Sequence, residues 1–267
     1  MDRPLIAGVP SQSATAEMTI VVTDVNRPSK FEVVTNPYEV EENVSVPTVL
    51  DGGNIVIYDE DAADVNKLKV TITDNDATAA LDAAKLFKVV QVGKTDAETL
   101  LSTFVIQTAD DLDYEELYKK VEKDAVFNIT LTVEDTEGNK TSHDTKIRVI
   151  DVNEEPAFTK TSYTFSIAEN TTETTSLGVA EATDPDKYNT KFNTLSFSLK
   201  GEEAALFDID EHSGEIFTVN NAKFDYETKR QYSFEVVVKD KDFTKKVPVT
   251  VNVTDVSEGP KFTDIPT

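Results

Sequence analysis

The sequence predicts an all-β protein: two tandem Greek-key β-sandwiches of about seven strands each, arranged end to end. Three observations carry that reading. Short runs with an apolar residue at every second position recur along the chain, which sorts side chains onto the two faces of a strand. Phe127, Ile129, Leu131 and Val133 form one inward set, and Phe234, Val236 and Val238 another. Turn signals such as Gly138-Asn139 and Ser213-Gly214 separate the runs, as in an antiparallel sandwich. Finally, a string repeats: DVNRPSKF from Asp24, DVNEEPAF at Asp151–Phe158 and DVSEGPKF from Asp255. Each copy follows an alternating run and opens a new segment with Phe.

Between the copies the same elements return in the same order. A short strand ends in an acid before Asn, at Glu42-Asn43 and Glu169-Asn170. An Asp-x-Asp pair follows, Asp59-Glu60-Asp61 and Asp184-Pro185-Asp186, and then a Phe strand at Leu86-Phe87 and Leu206-Phe207. LDYE at Leu112–Glu115 answers FDYE at Phe224–Glu227, and alternating strands run to Asp135 and Asp240. A last alternating strand, through Ile147–Val149 or Val247–Val253, leads into the next copy of the string. The implied organisation is residues 1–28 as the end of a preceding repeat plus linker, 29–156 and 157–260 as full repeats, and 261–267 as the start of another. Met18–Thr23 reads as a final strand without its own sheet.

Individual residues refine this. Phe31, Phe158 and Phe262 read as core residues of the segments they open, and Tyr114 and Tyr226 as packing residues. Pro248 places its strand at an edge, or leaves its amide side free. The first repeat is the longer one. Its excess falls at Ala77–Leu86, which favours a short helix, at Gly93–Leu101 and at Glu116–Lys123; these are expected to be surface insertions.

Composition narrows the function classes. Fifty acidic against 26 basic residues give a formal charge of −24, which repels nucleic acid and anionic membrane surfaces. Hydrophobic residues make up 39% of the chain, too many for a disordered one. The chain has no Cys, so disulfides and thiolate metal sites are excluded. No apolar run is long enough for a spanning helix, and the N-terminus lacks the apolar core of a signal peptide. The sequence therefore reads as a fragment of something larger. His143 and His212 stand alone in unlike contexts, expected in exposed loops, and no nucleophile or phosphate motif appears. The expectation is that the protein is not an enzyme.

The repeated acids, the LDYE and FDYE motifs and the three linkers together resemble the extracellular cadherin repeat over about residues 24–262. That resemblance implies Ca²⁺ at the junction between successive repeats, up to about three ions each. It implies ligands at the central junction from Glu42, Asp113, Glu115, Asn153, Glu154, Asp184, Asp186 and Asp240, with carbonyls from Val152 and Glu155. Of these, Glu42, Asp113, Glu115, Glu154, Asp184, Asp186 and Asp240 are carboxylates. Brought into one small volume without metal they repel, and hard cations such as Ca²⁺ bind oxygen sets of this kind. Pro156 stiffens the linker and removes a donor.

The sequence also departs from the pattern. Glu154 stands where the family has Asp, and the linker is one residue shorter before its Pro. At the first junction Arg27 takes the acidic position, leaving Asn26, Asp59, Asp61 and Asp135. At the last, Ser257 replaces Asn while Glu169, Asp225, Glu227 and Glu258 remain. Full occupancy is expected only at the centre.

The implied function is calcium-dependent stiffening of adhesive or spacing repeats in a cell-surface or secreted protein. Calcium and a protein at a cell surface, homophilic or heterophilic, are the implied partners. The alternative is a carbohydrate- or matrix-binding accessory module of a secreted microbial protein, with the insertions as its contact surface. Absence of Trp disfavours both that reading and adhesion by exchange of an N-terminal strand. Asn43, Asn128, Asn139, Asn170 and Asn252 begin glycosylation sequons, which matter only in a glycosylating secretory pathway.

Overall fold

The computed structural model describes residues 14–23, 25–78, 81–92, 99–121 and 124–259. The first sandwich contains β1 (Lys30–Val33), β2 (Tyr38–Glu41), β3 (Ile55–Tyr58), β4 (Lys69–Asp74), β5 (Phe87–Gln91), β6 (Leu101–Thr108), β7 (Val126–Glu134) and β8 (Lys140–Ile150). Its two sheets have the orders β1-β3-β6-β5 and β2-β8-β7-β4. Two helices interrupt it, α1 (Ala83–Leu86) and α2 (Tyr114–Val121).

The second sandwich contains β9 (Ala157–Phe158), β10 (Tyr163–Ala168), β11 (Ser176–Val179), β12 (Ala182–Thr183), β13 (Ser196–Lys200), β14 (Phe207–Ile209), β15 (Glu215–Thr218), β16 (Gln231–Lys239) and β17 (Thr244–Thr254). Its sheets run β10-β17-β16-β13, β11-β15-β14 and β12-β9. The expected seven strands per sandwich become eight and nine among the described residues. The opening strand of each is split, so that β1 and β2, or β9 and β10, join different sheets.

One expectation needs correction. The sandwiches are not wholly antiparallel: β2 pairs β8 in parallel, with Glu41 opposite Ile150, and β10 pairs β17 in parallel, with Ala168 opposite Thr254. A parallel pair needs a long crossover, and here the rest of the sandwich provides it. The consequence is geometric. Both members of the pair exit at the same end, so the residues after β2 and β8 emerge side by side. The Glu42 N–H donates to the Ile150 carbonyl at 3.0 Å, and the Glu169 N–H donates to that of Thr254 at 3.0 Å.

Each sandwich has its own core. Ile55, Ile57, Phe127, Ile129, Leu131, Val133, Ile147 and Val149 centre the first; Phe207, Ile216, Phe234, Val236, Val238, Val249 and Val251 centre the second. The expected alternation holds in β7 and β16, whose odd and even faces separate cleanly. Phe31 packs against the first core and Phe158 against the second, while Leu112 and Tyr114 are buried and Tyr226 packs on the second core. Phe262 lies outside the described residues. The hairpin between β14 and β15 turns at Gly214, whose φ is 72° and where a Cβ would meet the Ala180 carbonyl at 2.6 Å; only glycine fits that position.

Pro248 sits where β17 changes character. It faces Glu235 of β16 on one side, and pairing with β10 on the other begins only at Val249. The missing N–H therefore falls on the free side of an otherwise interior strand. The short helix predicted within Ala77–Leu86 is α1, capped by the Asp82 side chain, which accepts from the Ala84 N–H at 2.9 Å; residues 79–80 lie outside the described set, as do residues 93–98 of the second insertion.

The third insertion is more than surface. It forms most of α2, and Leu117 is buried in the first core; residues 122–123 are outside the described set. His143 is exposed but lies in β8 and not in a loop, 5.7 Å from the Phe31 ring. Residues 14–23 form no strand and expose Met18, Ile20, Val21 and Val22.

Because the two cores share no residue, their stabilities should separate. Leu131 is fully buried, and Leu131→Ala should cost the first sandwich about 2–5 kcal/mol. Denaturant unfolding followed separately for each sandwich should show the second transition unmoved.

Candidate functional site

The end of the first sandwich meets the start of the second in a cluster of acids. One carboxylate oxygen from each of Glu42, Glu115, Asp151 and Asp186 lies within 4.8 Å of the others. Four elements deliver them: the exit of β2, the first turn of α2, the exit of β8, and the loop after β12. All but Asp151 are buried.

Backbone donors fix some of these oxygens. Glu42 accepts from the Tyr114 N–H at 2.6 Å and the Val152 N–H at 3.0 Å. Asp186 accepts from the Glu154 N–H at 2.8 Å, and Asp184 from the Asp186 N–H at 2.9 Å. Asp240 accepts from the N–H groups of Asp242 at 2.7 Å and Phe243 at 2.6 Å, and from the Asn153 amide at 3.3 Å.

The remaining oxygens are the telling ones. Glu115 Oε1, both Asp151 oxygens, Asn153 Oδ1, Asp184 Oδ2 and Asp186 Oδ1 are buried with no hydrogen-bond partner. Buried polar atoms are ordinarily paired, and an unpaired acid is costly. Six such oxygens converging on one joint form a hard donor set, with no thiolate or imidazole. Such a set can hold a metal ion of the oxygen-seeking kind.

The electrostatics point the same way. Burial pushes Glu42 up to about 7, opposed by its two backbone donors and reinforced by Glu154 and Asp151. Burial pushes Glu115 up to about 8, and Glu42 adds to the shift. Asp151 is raised to about 6, first by burial, with the nearby Asn189 amide opposing and Asp186 adding. Asp184 is likewise raised to about 6 by burial, with Asp186 repelling.

Other sequence-predicted residues surround the cluster. Asp113, Glu154 and Asp184 line, with Glu115, a crevice of about 240 Å³ beside it. Asp113 also caps α2, accepting from the Glu116 N–H at 2.7 Å. Glu154 accepts from the Asn43 side-chain amide at 2.9 Å. Val152 contributes its N–H to Glu42. Glu155 is exposed and ion-paired with Lys245 at 2.5 Å.

The same device recurs at both ends. Towards the N-terminus, Asp59, Asp61 and Asp64 cluster within 4.8 Å. There Asn26 donates to Asp135 at 2.9 Å and the Arg27 N–H to Asp61 at 2.8 Å, as Asn153 does to Asp240 and Glu154 to Asp186. The Arg27 guanidinium turns away to Glu60 at 2.6 Å. Towards the C-terminus, Glu169, Glu227 and Asp255 cluster. Glu169 accepts from the Tyr226 N–H at 3.0 Å and the Val256 N–H at 2.8 Å, and Asn170 donates to Glu258 at 2.8 Å. Asn43 and Asn170 both adopt positive φ, 56° and 61°, a conformation Asn tolerates better than most residues.

Sequence reasoning missed Asp151, Asp255 and Asp64. The first two open the repeated string itself, and that recurrence was the available signal. Asp64 had weaker notice: its counterpart five residues after Asp184 is Asn189, an amide and not an acid.

These features define a class: tandem β-sandwich repeats articulated at acidic joints. Comparison with known proteins agrees. The family model "Cadherin domain" matches residues 163–254. Cadherin-12 of Homo sapiens is 26% identical over 258 residues, covering 95% of this chain and 31% of that protein. Protocadherin gamma-A5 of Homo sapiens is 31% identical over 211 residues, covering 72% and 22%. Among solved structures, Drosophila N-cadherin EC1-4 superposes with a TM-score of 0.61 at 20% identity, covering 86% of this chain and 50% of that one. The chain belongs to the cadherin repeat family, and it spans 8–31% of the length of the curated relatives it matches.

The raised carboxyls set a pH dependence. An acid whose pKa rises on folding binds more protons in the folded state, so its folded form is favoured at low pH and loses that advantage as pH rises through the folded value. With metal chelated, the joint should therefore tighten near pH 5 and loosen as pH climbs through about 6 to 8, the values of Asp151, Asp184, Glu42 and Glu115. Distance measurements between labels on the two sandwiches check this; an unchanging profile would contradict it.

Proposed function

We propose that residues 29–156 and 157–260 are calcium-stiffened adhesive repeats of a cell-surface or secreted protein. The observation that carries this reading is the set of buried, unpartnered acid oxygens of Glu115, Asp151, Asp184 and Asp186, drawn from both sandwiches and the linker into one joint with Glu42. Calcium, when bound, supplies the positive charge and the roughly six to eight oxygen contacts that such a set needs.

In this reading Glu42, Asp113, Glu115, Asp151, Asn153, Glu154, Asp184, Asp186 and Asp240 hold the ions, with the carbonyls of Val152 and Glu155. Each side chain has a distinct task. Glu42 is aimed by two N–H donors from α2 and the linker, so the first sandwich presents an oriented carboxylate. Asp186 is tied to the linker through Glu154, which makes the second sandwich follow the linker's direction. Asp240 and Asn153 hold each other and couple the linker to the far side of the joint. Asn26, Asp59, Asp61 and Asp135 form a smaller set at the first junction, and Glu169, Asp225, Glu227 and Asp255 another at the last.

The role is structural: the ions fix the angle between repeats. Extracellular calcium modules bind with dissociation constants of about 10⁻⁴–10⁻³ M, a range that is useful where calcium is abundant. Cadherin extracellular repeats work outside the cell or at its surface, and this chain's repeats belong there. Their adhesion partner is a protein, through homophilic or heterophilic contact. The net charge of −24 opposes any nucleic-acid partner.

Calorimetric calcium titration of the intact chain tests the reading directly, and binding should raise the melting temperature. A site filled at a hundred times its Kd stabilises by about 2.7 kcal/mol. Glu115→Gln or Asp186→Asn should remove much of that gain. In chelator the same variants should be as stable as the parent or more so, since each removes an acid that, when ionised, is buried among other carboxylates. Equal loss with and without calcium would count against the metal role. Small-angle scattering should also show a longer, straighter particle with calcium than with chelator.

A further inference from the structure

We propose that Tyr118 and Tyr188 are positioning residues for the central joint: they stack across it and hold the two sandwiches in the ion-receiving alignment before any ion binds. Tyr118 lies on α2 of the first sandwich, and Tyr188 on the loop after β12 in the second. Their ring centroids are 4.6 Å apart with planes at 20°. A tilted ring contact continues inward, since Tyr114 lies 5.9 Å from Tyr118 with planes at 37° and is itself buried in the first core. A ladder of three rings thus runs from that core onto the neighbouring repeat.

The two repeats differ here among the described residues. After LDYE the chain continues as the eight-residue helix α2. After FDYE the corresponding segment is a turn leading to β16. Leu117 anchors α2 in the core, and the i, i+4 spacing places Tyr118 one turn from Tyr114 on the same face. Tyr118 therefore has a rigid mount. Among the described residues Tyr188 is the most exposed aromatic, at 36%. One ring face meets Tyr118, and the Lys187 ammonium lies 5.1 Å from its centroid.

Both rings are short covalent steps from clustered acids. Glu115 precedes Tyr118 by three residues on the same helix, and Asp186 precedes Tyr188 by two. Stacking the rings keeps Glu115 and Asp186 near each other while their charges push apart. An aromatic pair contributes about 0.5–1.5 kcal/mol beyond its buried area. That corresponds to roughly a two- to tenfold bias toward the closed joint, and an ion that binds only the closed form gains apparent affinity by up to the same factor. The affinity effect rests on the calcium reading; the alignment effect in chelator does not.

The test uses the full chain with Thr71→Cys and Ser198→Cys, one label site on each sandwich in a protein otherwise free of cysteine. Label distances are measured in chelator and in calcium for the parent, Tyr118→Ala, Tyr188→Ala and Tyr118→Phe. The expected result in chelator is a narrow distribution for the parent and Tyr118→Phe, which keeps the ring, and a broader one for both alanine variants. Calcium binding should weaken roughly two- to tenfold in the alanine variants and recover in Tyr118→Phe. Identical chelator distributions for all four proteins would overturn the proposal, and Tyr188→Ala, on a loop, decides it should Tyr118→Ala disturb α2. If calcium neither binds the parent nor raises its melting temperature, the calcium reading fails, while the chelator comparison still decides the clasp.

Discussion

The parallel pairing of each sandwich's entry strand with its exit strand is the constraint on which the joint depends. Because β2 and β8 run the same way, the acid that follows β2 and the linker that follows β8 leave the sandwich at one end and one edge. Glu42 then reaches the Val152 N–H directly. An antiparallel pair would send these residues to opposite ends. The second sandwich repeats the solution with β10 and β17, and Glu169 reaches Val256 in the same way. Register carries the rest: with Glu41 opposite Ile150, the next residue of each strand is an acid.

Comparison of Glu42 with Glu169 separates local geometry from environment. Both accept two equivalent backbone hydrogen bonds. Glu169 is held below the ordinary carboxylate range, chiefly by the Val256 and Tyr226 donors. Glu42 is pushed above it by burial, despite the same donors. Both side chains are buried, but Glu42 faces the linker's Asp151 and Glu154 and, across the joint, an Asp186 oxygen within 4.8 Å. The hydrogen bonds orient the carboxylate; apposition of a second repeat supplies the strain that a cation would relieve.

Much of this is legible in the residues. Period-2 runs identify β7 and β16 and their inward faces, because a strand with one face in the core and one in water must alternate. The repeated acids mark Glu42, Glu115 and Asp186 for the joint. What escapes depends on tertiary contact. Parallel pairing leaves no trace in a strand's own alternation, so the sandwich reads as purely antiparallel. Asp151 reads as part of a recurring linker, and only the shared exit of β2 and β8 brings it to Glu42 and Glu115. The extra residues after LDYE read as a surface insertion, since nothing local shows that Leu117 reaches the core or that Tyr118 faces another repeat. His143 reads as a loop residue because it follows a turn closely, but the hairpin is short and β8 begins at Lys140.

The same entry-and-exit pairing governs how a chain of such repeats answers tension. Each sandwich is entered through the short β1 or β9, runs on into β2 or β10, and is left at the end of β8 or β17. A pull along the chain draws these neighbours past one another lengthwise. Their ladder is loaded in shear, with its hydrogen bonds resisting together, and is not peeled open rung by rung. Pairing that gathers acids at the joint thereby also makes each repeat a stiff link between whatever is tethered at its two ends.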